Sequence, residues 1–196
     1  MFELAPFVSL TRGSITETYT NSTTNTTTEV SHNTLFTDPG IGFEGRLGLN
    51  VAMFSFGAVG AINWESSRIK YLPTNQSIIK MDTYSNTHKR IFAGPTVILH
   101  VLKAVRVIGE YLPYVQDKLT YTKLRSSNPF TEGDRIKGSG WGAGIGVEAI
   151  QTYIDVVYRS FEYNKGTLRS VSTSLPNSKY STFERSGVFV SFGISL

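Results

Sequence analysis

Cysteine is absent from the 196-residue chain. That excludes a disulfide-stapled scaffold and any thiolate metal centre. Charge is scarce: Asp, Glu, Lys and Arg make up 17% of the residues, against about 25% in an ordinary soluble domain. The net charge of +4 is small and dispersed, so no nucleic-acid partner is expected. Long apolar runs are missing. The longest uncharged stretch, 47–64, is interrupted by Asn50, Ser55 and Asn63 and diluted by three glycines, which does not suit a membrane helix. The opening MFELAPF lacks the basic start and apolar core of a secretory signal, so an exported protein is expected to be the mature form. The three histidines, His32, His88 and His100, show no metal-ligand spacing, and GxSxG, HExxH and GK[ST] do not occur.

Glycine and aromatics are plentiful, with 18 glycines and 12% Phe, Trp and Tyr. They fall into a two-residue rhythm, the signature of sheet. The last ten residues show it best: Val188, Val190, Phe192, Ile194 and Leu196 share one face, and Gly187, Phe189, Ser191, Gly193 and Ser195 the other. Eight such segments are expected, at about 2–12, 40–50, 52–64, 88–101, 104–115, 136–149, 152–163 and 183–196. In the fifth, Val105, Val107, Tyr111 and Val115 are placed on the apolar face, opposite Arg106, Ile108, Glu110 and Tyr114. Pro6, Pro95 and Pro113 fall inside these segments and require local bulges.

Short and long joins alternate. Those near 50–52, 102–104 and 149–151 are tight; those at 13–39, 65–87, 116–135 and 164–182 are long and polar. This asymmetry points to one domain, 1–196: an all-β, eight-stranded antiparallel up-and-down transmembrane β-barrel with short periplasmic turns and long outer loops. The loops hold NxS/T patterns at Asn21, Asn25 and Asn75. Lys118, Lys123 and Arg125 are assigned to the third loop, and Lys165, Arg169, Lys179 and Arg185 to the fourth.

The polar face decides which side is inside. A water-facing surface carries dense charge of both signs; here that face is mostly Gly, Ser, Ala and Thr with isolated charges. It therefore faces a crowded lumen. The apolar face, with Phe43, Phe54, Phe56, Trp64, Tyr111, Trp141, Tyr158 and Phe192, supplies lipid contact and interfacial girdles. The inward charges, among them Glu44, Arg46, Arg90, Arg106, Glu110, Glu148, Asp155 and Arg159, nearly balance, as a low-dielectric interior demands. Glu44, Arg46, Arg106, Glu110, Glu148 and Arg159 are expected to interlock mid-barrel. Eight strands leave an interior just filled by side chains, which argues against an open pore. His88 and His100 are expected to be lumen or rim histidines, with no Ser or acid beside them in sequence. No catalytic residue, metal or cofactor is assigned.

The chain resembles the small eight-stranded outer-membrane barrels of the OmpA/OmpX type. The resemblance rests on GWGAGIGVEAIQTYIDVVYRSFEY (140–163), a glycine-rich strand with Gly146 and Glu148, a tight turn, and a strand carrying Tyr158 and Arg159. The terminal strand matches too, except that it ends in Leu196 where an aromatic is usual. The resemblance implies the outer membrane of a Gram-negative bacterium, lipopolysaccharide neighbours met at Lys89 and Lys137, insertion by the barrel-assembly machinery, and a monomer without cofactor. The expected role is non-enzymatic: membrane integrity, with loops acting in adhesion or on a host or cell-surface ligand. The alternatives are a narrow pore, a lipid A-modifying enzyme dependent on His88, and a soluble lipocalin-like ligand-binding barrel.

Overall fold

Branched and aromatic residues alternating with glycine, serine and charge leave this chain no helical face to bury. Strand is what such a pattern builds. The computed structural model describes residues 1–20, 27–33, 38–71, 82–102, 104–122, 132–168, 171–174 and 180–196. Every element in them is a strand: β1 (Phe2–Thr20), β2 (Thr27–Asn33), β3 (Asp38–Val51), β4 (Phe54–Tyr71), β5 (Asp82–Leu102), β6 (Val105–Thr122), β7 (Arg135–Ala149), β8 (Thr152–Leu168), β9 (Val171–Ser174) and β10 (Tyr180–Ser195). Eight of them form an antiparallel ring in the order β1-β3-β4-β5-β6-β7-β8-β10, and β10 pairs with both β8 and β1 to close it. Closure abolishes sheet edges within the ring. β2 adds to β1, and β9 to β8, outside it.

One end of the barrel collects both termini and the short turns. Met1 N donates to Gly48 O at 2.9 Å, Leu196 N to Phe2 O at 2.9 Å, and Ser195 N to Gln151 O at 2.9 Å. Ala52 and Ile150 turn the chain there with φ of 54° and 59°. The opposite end carries the long connections, and it is more ordered into sheet than the sequence reading expected. β1 continues from the expected end at 12 to Thr20, β4 from 64 to Tyr71, and β6 from 115 to Thr122. β9 lies where loop was expected, and β2 lies in the Thr-rich connection 16–34, whose strand propensity allows an extended hairpin. Asn21, Asn25, Asn75, Lys123, Arg125, Arg169 and Lys179 fall outside the described residues.

Pro95 and Pro113 sit inside register shifts, between Ala93 and Thr96 and between Leu112 and Val115. The two irregularities face each other. Gly94 lies between them, and a Cβ there would come within 2.7 Å of Pro113 Cδ and 2.9 Å of Leu112 Cα, so no side chain fits. The bulge at Pro113 reverses parity beyond it. Val115, expected outward, is fully buried, and Tyr114, expected inward, is 45% exposed. An extra residue in one strand does this by exchanging faces.

The interior is layered. Phe7, Phe92, Phe161 and Phe189 stack across its middle with ring centroids 5.4–6.1 Å apart. Ionic groups lie on both sides of this aromatic layer. The inward glycines of β7 make room for them: a Cβ on Gly142 would sit 2.7 Å from Glu110 Oε2 and 3.2 Å from Arg159 Cγ. The outer surface is the greasy one, with Ile41, Leu47, Leu49 and Ile145 all more than 60% exposed.

Candidate functional site

The lower lumen, towards the short turns, is an ionic lattice. Strand alternation aims Glu3, Glu44, Arg46, Arg106, Glu110, Asp155 and Arg159 inward from four strands, β1, β3, β6 and β8. Arg46 reaches Asp155 at 2.7 Å, Glu44 at 2.9 Å, Glu3 at 3.2 Å and Glu110 at 3.3 Å. Arg106 bonds both oxygens of Glu3 at 2.8 Å and Asp155 at 3.0 Å. Arg159 donates to Glu110 at 2.7 Å and to Glu44 at 2.8 Å. Ser191 donates to the other oxygen of Glu44 at 3.0 Å. The guanidiniums also stack, Arg106 over Tyr153 at 4.2 Å, and Arg159 between Phe92 and Phe189 at 4.9 Å from each. Planar forks that serve two to four carboxylates each are what arginine provides and lysine does not.

Glu148, expected in the interlock, stands at its margin. It is 3.7 Å from Arg106 and 3.5 Å from His100, with a side chain 22% exposed. Arg90 belongs to a separate cluster on the other side of the aromatic layer. It meets Glu65 at 3.1 Å, Asp117 at 3.1 Å and the Tyr163 hydroxyl at 3.0 Å. Arg185 pairs with Glu65 and with Asp38, the latter at 3.6 Å. Its assignment to loop charge is corrected: it is buried, because β10 begins before it and odd-numbered residues there point inward. Asp38, Glu65 and Asp117 were missed because they lie just beyond the expected strand ends. Extending the alternation by two residues would have found Asp38 and Glu65; Asp117 lies beyond the Pro113 bulge, where the expected parity places it outward.

Two histidines acquire partners that lie far away in sequence. His88 Nε2 is 2.8 Å from Ser67 Oγ, and its Nδ1 is 3.2 Å from Asp117 Oδ1. His100 Nε2 is 3.0 Å from Ser55 Oγ, and its Nδ1 is 3.5 Å from Glu148 Oε2. Neither histidine has a Ser or acid beside it in sequence; these partners come from neighbouring strands, because adjacency in a barrel runs across strands. Among the described residues, no cluster of three or more His, Asp or Glu is arranged to hold a metal ion.

The outward face carries its own arrangement. Phe43, Phe54, Phe56, Trp64, Tyr111, Trp141, Tyr158 and Phe192 are all exposed. Trp141 and Tyr158 pack at 5.7 Å, and Lys89 lies 6.0 Å over Trp64. Above Trp64 and Trp141 the greasy surface gives way to cations. Lys89 stands directly opposite Lys118, and Lys118 opposite Arg135. Lys137 stands opposite Lys165. Lys118 is thus a strand residue at the rim and not a loop charge. Among the described residues, none of these five cations has an ion-pair partner.

No protein-family model and no curated protein matches the chain. Among solved structures it is similar to Ail, the attachment invasion locus protein of Yersinia pestis, at 12% identity and a TM-score of 0.42, over 98% of this chain and 97% of that one. The same protein in complex with the heparin analogue sucrose octasulfate gives 12% and 0.45 over the same shares. The outer membrane protease OmpT of Escherichia coli gives 8% and 0.44 over 98% of this chain and 95% of that one. In strand number, closure and a side-chain-filled interior, the described residues form a closed, eight-stranded antiparallel β-barrel, the fold that the resemblance implies.

Proposed function

We propose that this chain is an integral outer-membrane protein of a Gram-negative bacterium, a monomeric barrel with a closed lumen that reinforces the membrane and presents its long connections for surface contact or adhesion. The observation that carries the reading is the inversion of an ordinary soluble barrel. Charges are buried inside and paired, while Ile41, Leu47, Leu49 and Ile145 face outward. In water that surface would aggregate; in lipid it is the stable one. It opposes a lipocalin-like cavity, whose apolar face is internal. The filled lumen opposes a pore, since ion movement would require breaking pairs of 2.7–3.3 Å. Insertion by the barrel-assembly machinery follows from the same reading.

The test is refolding into detergent and then into planar bilayers. The unboiled protein is expected to migrate differently from the boiled one on a gel, and the bilayer to stay silent. Discrete conductance steps would replace this reading with a channel. A detergent-free, monodisperse protein would replace it with a soluble barrel.

The rim cations give the membrane reading a lipid partner. Like charges opposite one another across strands repel, and among the described residues no acid pairs with the Lys89–Lys118–Arg135 row. It sits where the phosphates of lipopolysaccharide lie if the apolar band spans the lipid, and Lys137 and Lys165 extend it. Each such cation contributes about 1 kcal/mol towards an anionic headgroup. Replacing Lys89, Lys118 and Arg135 together by glutamine is therefore expected to weaken binding of bisphosphorylated lipid A about 100-fold. Binding of dephosphorylated lipid A is expected to be unchanged.

A further inference from the structure

We propose that Ser67, His88 and Asp117 form an acyl-transfer site in the outer half of the lumen, which goes beyond the structural role above and gives the barrel a hydrolytic activity on carboxylic esters. The three residues come from neighbouring strands β4, β5 and β6. His88 stands opposite Glu65 on one side and Leu119 on the other. Ser67 and Asp117 each lie two residues further along those strands, in opposite directions in space, so the three side chains form an oblique line across the sheet. Along that line the contacts are 2.8 Å from Ser67 Oγ to His88 Nε2 and 3.2 Å from His88 Nδ1 to Asp117 Oδ1. A nucleophile in reach of a base, with the base oriented by a third group, is the arrangement that nucleophilic catalysis needs.

The surroundings fix the direction of the protons. Asp117 Oδ2 already accepts from Arg90 at 3.1 Å and from Tyr163 at 3.4 Å. This anchors the carboxylate and turns Oδ1 to His88. Asp117 Oδ1 lies 3.2 Å from His88 Nδ1 without hydrogen-bond alignment to it, so its charge, and not a formed hydrogen bond, favours the proton on Nδ1; the lone pair of Nε2 is then left to Ser67, whose hydroxyl has no other acceptor among the described residues. The similar group at the other end of the barrel has the opposite sense. Ser55 gives its single proton to Asn50 Oδ1 at 2.8 Å, so His100 must donate to it and cannot act as its base. Of the two constellations, only Ser67–His88–Asp117 has the polarity of an activated serine.

Ser67 Oγ adds to the ester carbonyl carbon as its proton passes to His88 Nε2. The carbon–alkoxide bond then breaks, and His88 returns the proton to the departing alcohol. Water, deprotonated by His88, cleaves the acyl-Ser67 and releases the carboxylic acid. Ser67 and His88 are the catalytic residues, and Asp117 is a positioning residue. Leu119 stands opposite His88 and Ile136 opposite Asp117, both buried and apolar, which favours esters of apolar acids. Ser67 is fully buried and the His88 side chain is 9% exposed, so substrate reaches Ser67 from the His88 side.

The experiment uses the full chain refolded in detergent, with a fluorophosphonate and p-nitrophenyl butyrate as probes. Phosphonylation is expected on Ser67, located by mass spectrometry, together with ester hydrolysis. Ser67→Ala abolishes both while keeping the gel shift of the folded barrel, because it removes only a hydroxyl. His88→Gln lowers the labelling rate about 1,000-fold, and Asp117→Asn lowers it and displaces its pH profile. A folded wild-type protein that takes up no label, or one labelled equally after Ser67→Ala, overturns the proposal. Loss of the gel shift in wild type would instead overturn the membrane reading.

Discussion

Replacing Arg159 with methionine is expected to destabilise the barrel by about 3–5 kcal/mol, the range for removing one partner from a buried ion pair. Methionine keeps most of the volume and the contacts to Phe92 and Phe189. It leaves Glu110 and Glu44 without donors that now stand at 2.7 and 2.8 Å. Arg46 remains beside both, at 3.3 and 2.9 Å, but it already serves Glu3 and Asp155. The loss is therefore one of uncompensated charge, and removing the charge should restore stability. The combination Arg159→Met, Glu110→Met and Glu44→Gln is expected to recover most of the loss, since a whole buried ionic group is often replaced by apolar residues at little cost. Urea midpoints for the barrel in lipid vesicles, at constant slope, measure both effects. A single variant within 1 kcal/mol of wild type would show the lattice to be dispensable.

Arginine in place of Ile145 is expected to cost about 2–4 kcal/mol in a bilayer. Ile145 stands between Val107 and Val156 on the outward face of β7. It lies between the turn end at Ala149 and the cation at Lys137, near the middle of the greasy band. The same substitution at Ser139, close to the rim, is expected to cost about 0–1 kcal/mol, because the penalty falls towards the interface. On a soluble protein both positions would be exposed sites, where changes stay within about 0.5 kcal/mol. The difference between the two positions therefore reads out the depth of the lipid directly.

The ring and its inside-out polarity were legible because period-two alternation survives along all eight strands, and small residues mark the crowded face. The legibility ended where alternation was interrupted. Pro113 inserts a bulge, and beyond it Val115 and Tyr114 exchange faces. Strand ends were hidden for a different reason. Thr and Ser suit both a polar loop and a strand standing in water, and the scattered Ile, Leu and Tyr in the continuations of β1, β4 and β6 give only a weak hydrophobic signal. Ser67 and Asp117 lie in those extensions. Their meeting with His88 depends on the register of three strands, which no single strand's pattern contains. Arg185 escaped because its neighbour Glu184 faces outward, and a charge pair in sequence looks like solvated loop.

The order of the ring has a consequence for how the molecule is born. The seam is made by β1 and β10, so the ring cannot shut before β10 is in place. The lattice obeys the same timetable. Arg106 and Glu3 are separated by 103 residues, Arg46 and Asp155 by 109, Arg159 and Glu44 by 115, and Arg185 and Glu65 by 120. Contacts of such range form late in folding. A chain cut short before β10 has two bare strand edges, and Glu65 lacks Arg185 while Glu44 lacks Ser191. Both defects are intolerable in hydrocarbon, and one strand removes both. The C-terminal segment is thus a completion check, and a barrel is stable in lipid only once it is whole.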